Sequence, residues 1–176
     1  MTNRANDLQT ADRIILPGVG AFGDAIQKLR DTGLVGPILE ECEKGKPLLG
    51  ICLGMQLLFQ TGYEYGIHEG LGLVPGRVGP MEDALPPGFK VPHIGWNSLH
   101  LRKPEDPLFR YTKEGDYFYY VHSYFGEGCE PYTLANSDYG IPVTGVVRNG
   151  SVYGTQFHPE KSGAAGLSLL RAFSEL

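Results

Sequence analysis

No stretch of the chain approaches the run of about 18 uncharged apolar residues that a membrane-spanning helix needs, which excludes a helical membrane span. Residues 1–10 are polar and lack the apolar centre of a signal peptide, so the sequence reads as cytoplasmic. Basic residues number 15 against 20 acidic ones, for a net charge of −5. They form no cluster or stripe, which argues against nucleic acid as the main partner. Cysteine occurs three times, as Cys42, Cys52 and Cys129, at spacings that fit no zinc site. No other His, Cys and carboxylate set has ligand spacing and no dinucleotide fingerprint occurs, so neither a metal nor an organic cofactor is expected. An odd number of cysteines in a reducing compartment points to one reactive thiol among structural ones.

What is present is ordinary for a globular domain: 176 residues, 41% hydrophobic and 20% charged. This length fits one domain, residues 1–176, with a sizeable core. Its 25 glycines and 13 prolines are spread along the chain, as tight turns between short elements would require. Residues 13–16 and 47–51 read as short buried strands. Residues 21–29, 34–43 and 53–59 have helical spacing, and residues 62–97 read as short strands and loops. Residues 116–124, rich in Tyr and Phe, read as one strand, followed by strands at 132–136, 143–148 and 151–157. Asn149-Gly150 is a hairpin signal between the last two. Residues 163–176 complete the pattern as a helix, with Ser162 as its expected cap. Strand–helix units flanking a β-rich stretch favour an α/β sandwich.

The sharpest chemical signal is Gly50-Ile51-Cys52-Leu53-Gly54, between an expected strand and an expected helix. It matches the nucleophile elbow with cysteine in place of serine. A side chain at either flanking glycine would collide in so tight a turn. The turn sets Cys52 at a helix N-terminus, where partial positive charge and free N–H groups favour a thiolate. The competing reading of Cys52 is a small buried core residue. A base with a built-in orienting group is found at His158-Pro159-Glu160. Proline keeps the preceding residue extended, and residues two apart then point the same way. Glu160 accepts from one imidazole nitrogen, leaving the other for the thiol, in the logic of a Cys-His-Glu triad. The competing reading is a structural histidine in a turn. Gly18, Val19 and Gly20, with the N–H of Leu53, are candidate donors to an oxyanion. An ordinary glycine turn is the alternative, and the phosphate-loop pattern is absent.

Taken together, Pro17-Gly18-Val19-Gly20, the Cys52 elbow continuing to Met55-Gln56, and His158-Pro159-Glu160 resemble the class I, triad-type glutamine amidotransferases. Residues 17–22 (PGVGAF), 69–77 (EGLGLVPGR), 92–97 (PHIGWN), 121–124 (VHSY) and 156–162 (QFHPEKS) most resemble the glutaminase subunits of imidazole glycerol phosphate synthase. The resemblance implies an α/β three-layer sandwich, with a mixed, mainly parallel sheet flanked by helices around a flavodoxin-like core. It also implies glutamine hydrolysis. Cys52 would attack the side-chain amide, His158 would move the protons, and Glu160 would hold His158. Gln56, Ser123 and Tyr124 would hold the substrate, and residues 17–20 would form an oxyanion segment that needs a peptide rotation. Ammonia would pass to a barrel-shaped cyclase subunit that makes imidazole glycerol phosphate and an aminoimidazole carboxamide ribonucleotide in histidine biosynthesis. Trp96, Asn97 and Lys161 would meet that partner. Core packing for Trp96 and a solvated charge for Lys161 are the plainer readings.

The family's opening strand, helix and second strand have no counterpart before residue 13, so the domain reads as N-terminally truncated. A sheet without that unit is expected to leave an edge unpaired and apolar surface open. Three alternatives to the main reading stand beside it: a catalytically weak or inactive binding module of the same fold, a cysteine peptidase, and a glutaminase serving anthranilate, aminodeoxychorismate or GMP synthesis.

Overall fold

A computed structural model of the chain describes residue 2 and residues 4–176. In chain order the elements are α1 (Ala5–Thr10), β1 (Ile14–Gly18), α2 (Phe22–Asp31), α3 (Val35–Glu43), β2 (Leu48–Cys52), α4 (Leu53–Leu57), β3 (Phe59–Gly62), β4 (His68–Glu69), β5 (Val74–Pro80), β6 (His93–Ser98), β7 (His100–Leu101), β8 (Tyr117–His122), β9 (Tyr124–Glu127), β10 (Thr133–Asp138), β11 (Pro142–Asn149), β12 (Val152–Thr155) and α5 (Gly163–Ser174). The main sheet has the order β1-β2-β12-β11-β10-β7. Strands β1, β2 and β12 run parallel, and β11, β10 and β7 extend the sheet antiparallel. A four-stranded sheet, β4-β3-β5-β9, and the ladder β6-β8 complete the fold.

Strand β2 is buried along its whole length, and its alternation supplies both layers. Leu48 packs with Phe22, Ile26 and Ile38 of α2 and α3. Leu49 and Ile51 point the other way, toward Leu169 and Phe173 of α5. Burying each such side chain contributes about 1.5–3 kcal/mol, so the central strand is held from both faces. The sheet is mixed and lies between helical layers, as the sequence implied, but two of its five pairings are parallel and three antiparallel, so it is not mainly parallel.

The structure corrects five local expectations. The helix after Cys52 ends at Leu57, and Phe59 opens β3. Every residue from Leu53 to Phe59 is buried, so the apolar run had no periodicity to mark the change. The aromatic run at 116–124 is two strands, β8 and β9, which join different sheets on either side of Ser123. Ser162 does not cap α5. Its hydroxyl donates to the His158 carbonyl at 2.6 Å and accepts from the Tyr119 N–H at 3.0 Å. Part of the polar approach is helical, as α1, while Met1 and Asn3 lie outside the described residues. Lys46 holds α1 in place: its Nζ donates to the carbonyls of Leu8 and Gln9 and pairs with Glu41. The fifth correction, to the state of the Cys52 thiol, belongs to the site. Among the described residues β1 is the edge of the parallel half of the sheet. Ile15 is half exposed there, and a groove of about 730 Å³, lined by Leu16, Ala25, Leu29 and Ile38 among others, runs beside it.

Candidate active site

Three parallel strands end together, and the residues singled out in the sequence sit at those ends. Gly18 closes β1 and pairs with Cys52 at the end of β2. Thr155 closes β12 and pairs with Ile51, so His158 follows three residues beyond the same edge. Cys52 has φ 53 and ψ −111, in the positive-φ region that costs a residue other than glycine about 1–3 kcal/mol. The flanking glycines make this turn sterically feasible. A Cβ on Gly50 would lie 2.7 Å from the Gly54 carbonyl oxygen, and one on Gly54 would overlap the Leu16 carbonyl oxygen. One on Gly18 would lie 2.9 Å from the Gly54 nitrogen. β1 and the elbow are therefore packed backbone against backbone.

His158 is buried, and its Nδ1–H donates to Glu160 Oε1 at 2.7 Å. That bond fixes the tautomer and leaves Nε2 as a lone pair. Nε2 is buried and has no hydrogen-bond partner among the described residues. The Cys52 thiol points elsewhere: Sγ lies 3.9 Å from the Val121 carbonyl oxygen and 3.9 Å from Gln156 Nε2. Burial pushes the thiol up to about 11, and the Glu160 charge adds to that effect. The N–H of Leu53, the Lys161 charge and the Gln156 amide work in the opposite direction without prevailing. The thiolate expected from a helix N-terminus is therefore not the resting state. Helix α4 has only five residues, and desolvation outweighs its end. In the isolated chain, alkylation of Cys52 by iodoacetamide is expected to keep accelerating as pH rises toward about 11. Peptide-resolved mass spectrometry measures this separately from Cys42 and Cys129, and a rate that levels off below pH 9 contradicts it.

Gln56 is buried, and its Nε2 donates to the Tyr124 carbonyl at 2.9 Å and to Gln156 Oε1 at 3.1 Å. Gln156 thus joins Gln56 to Cys52. Gln156 has no role in the motif reading of residues 156–162, and its place two residues before His158 is the signal in the sequence that finds it. The Ser123 carbonyl accepts from the Met81 N–H at 2.9 Å. Val19 and Gly20 lie on an exposed turn beyond β1, with Gly20 at φ +102. Lys161 is exposed and follows Glu160 directly. Trp96 is 52% exposed on β6 and tilts against the Tyr119 ring, which rules out plain core packing for it. Asn97 is half-buried and bonds inward, to His93.

A cysteine on a glycine-flanked elbow and a carboxylate-oriented histidine, at the same edge of a sheet between helical layers, make an arrangement suited to acyl transfer. The family model "Glutamine amidotransferase class-I" matches residues 2–175, and the chain belongs to that family. Its relatives point more narrowly. It is 45% identical over 176 residues to the imidazole glycerol phosphate synthase subunit HisH of Listeria monocytogenes, covering 100% of this chain and 83% of the relative. It is 47% identical over 177 residues to the protein of the same name from Caldanaerobacter subterraneus, covering 100% and 85%. With that of Desulfitobacterium hafniense the identity is 49% over 170 residues, covering 96% and 78%. Among solved structures, one described as a glutamine amidotransferase superposes with TM-score 0.72 at 18% identity, covering 98% of this chain and 85% of that one. PurLQS from Thermotoga maritima superposes with TM-score 0.70 at 20% identity, covering 93% and 79%. At that identity these two bear on the fold alone.

Proposed function

We propose that this chain is the glutaminase subunit of an imidazole glycerol phosphate synthase, acting as one domain in the cytoplasm. The observation that carries the reading is His158 Nε2, buried without a hydrogen-bond partner among the described residues, at the sheet edge that also ends in the strained cysteine elbow. Turning the thiol from the Val121 carbonyl toward that nitrogen makes Cys52 a nucleophile, with His158 taking its proton. The thiolate attacks the side-chain amide carbon of glutamine. The N–H of Leu53, and donors supplied by Gly18, Val19 and Gly20 after a peptide rotation, receive the oxyanion. The imidazolium, held by Glu160, returns the proton to the departing ammonia, and water then releases glutamate from the thioester. The two Nε2 bonds of Gln56 are internal, so its Oε1 is the atom that faces substrate. The backbone of Ser123 and Tyr124 holds the amino-acid end.

The partner reading rests on the outer face of the β6-β8 ladder. Ile94, Trp96 and Tyr117 are exposed there, an apolar and partly aromatic strip of the kind that anchors interfaces. Lys161 stands ready to pair with a carboxylate of the cyclase. Dependence of hydrolysis on that partner, through the peptide rotation of residues 17–20, would prevent waste of glutamine. The test is glutamine-dependent formation of imidazole glycerol phosphate by the cyclase, with and without this chain. Glutamine is expected to support the reaction only when the chain is present, whereas ammonium salts support it in either case. Glutamate release without coupled product, or no complex with the cyclase, rejects the reading.

A further inference from the structure

Two histidines that the mechanism does not use form a buried chain of hydrogen bonds behind the substrate-binding turn. His93 and His122 are directly opposed across the β6-β8 ladder, and both are buried. His93 Nδ1 lies 3.0 Å from His122 Nε2. His122 Nδ1 lies 2.8 Å from the Tyr124 carbonyl oxygen, the same oxygen that Gln56 Nε2 reaches at 2.9 Å. At the other end His93 Nε2 lies 2.8 Å from Asn97 Oδ1, and Asn97 Nδ2 donates to the Asp138 carbonyl at 2.8 Å, which fixes the direction of the amide. The rings of Tyr120 and Tyr139 sandwich His93, at centroid distances of 4.9 and 4.0 Å. We infer that His122, backed by His93 and Asn97, is a positioning residue for glutamine binding, linking the strand that carries Trp96 to the carbonyl that orients Gln56. This inference rests on the glutaminase reading given above.

Counting protons gives the chain a direction. Both outer acceptors are carbonyl oxygens, so three contacts need three ring protons, whereas two neutral imidazoles carry two. The Tyr124 contact fixes one proton on His122 Nδ1. His122 Nε2 is then bare and accepts from His93 Nδ1–H. The shortfall falls on His93 Nε2 and Asn97. Asn97 is half-buried while both rings are buried, so its Oδ1 is the member that can take a donor from outside. Burial keeps both rings neutral, pushing His122 down to about 3 and His93 below its usual range. The groups facing the pair are Tyr120 of β8, Tyr139 beyond β10 and His158, and among the described residues no carboxylate pairs with either ring. A cyclase seated on Trp96 borders the open end of this chain.

The test uses the complex with the cyclase and separates KM for glutamine from kcat. His122→Leu removes the donor to Tyr124 and is expected to raise KM about tenfold, the scale of one buried neutral hydrogen bond, with kcat within about threefold. His122→Asn supplies an amide donor in place of Nδ1–H and is expected to restore most of the loss. Asn97→Ala, which removes the acceptor at the half-buried end of the chain, is expected to raise KM by about threefold and is read independently of whether the leucine variant folds. Nitrogen-15 spectra of the histidine-labelled complex at pH 8 are expected to show His122 protonated on Nδ1 alone. An unchanged KM in both His122→Leu and Asn97→Ala, or a proton on His122 Nε2 alone, overturns the inference while wild-type hydrolysis stands. Absence of wild-type hydrolysis would instead reject the glutaminase reading itself.

Discussion

Replacing Cys52 with alanine lowers glutamine hydrolysis in the cyclase complex by about 10⁴-fold or more, while ammonium-driven synthesis by the partner keeps its wild-type rate. The size follows from the group removed. Without the thiol no thioester forms, and the oxyanion donors and substrate contacts support only the residual catalysis that such sites retain. Folding changes little, because the alanine methyl fills the space of the cysteine Cβ and the strained backbone is retained by pairing on both sides. Gly18 pairs with residue 52 from β1, and Thr155 pairs with Ile51 from β12. Glutamate release measured by a coupled assay, alongside the thermal midpoint of the variant, separates a chemical loss from a structural one. Hydrolysis within tenfold of wild type would mean that Cys52 is a core residue after all.

Gly54→Ala has the second-largest effect, and it acts through the backbone. The new Cβ would overlap the carbonyl oxygen of Leu16 in the neighbouring strand. That oxygen cannot give way as a flexible side chain would. Leu16 pairs with Gly50 in the parallel ladder, so moving it opens the β1-β2 register beneath the elbow. Overpacking of this kind costs roughly 3 kcal/mol, which lowers the thermal midpoint of a domain this size by about 6–12 °C. Relief of the clash displaces Leu53 and its N–H, so hydrolysis falls with stability. Gly36→Ala serves as the control. It lies in the first turn of α3 with nothing within 4 Å of the new Cβ, and it leaves both properties near wild type. A Gly54→Ala chain as stable as the control would show that the elbow is not packed against β1.

The residues that were legible in the sequence are those whose geometry is local. Gly50, Cys52 and Gly54 declare a tight turn because the clash that excludes larger residues arises within the same few residues and one adjacent strand. His158 and Glu160 declare their pairing because Pro159 restricts the backbone between them, and the observed 2.7 Å bond follows from that. Properties set by distant segments were not legible. The thiol is desolvated by its burial and lies against Val121, a residue 69 positions away, so the helix end alone does not set its protonation. Ser123 separates β8 from β9 because β9 leaves its neighbour's sheet to pair with β5, and Val121-His122-Ser123 hold no glycine or proline to mark the exit. The facing of His93 and His122 is a matter of ladder register across 29 positions, and spacing along the chain carries no trace of it. Leu53 to Phe59 shows the remaining limit: a segment buried on every side has no amphipathic period to distinguish helix from strand.

The central claim is that the Cys52 sulfur takes the acyl group of glutamine. Acid-quenching the working complex during turnover and mapping the chain by mass spectrometry tests it directly. A glutamyl group attached to the peptide that holds Cys52, absent when His158 is replaced by alanine, is the predicted result. Glutamate accumulating at the wild-type rate with that peptide always unmodified, or with the label on Cys42 or Cys129, would contradict the account.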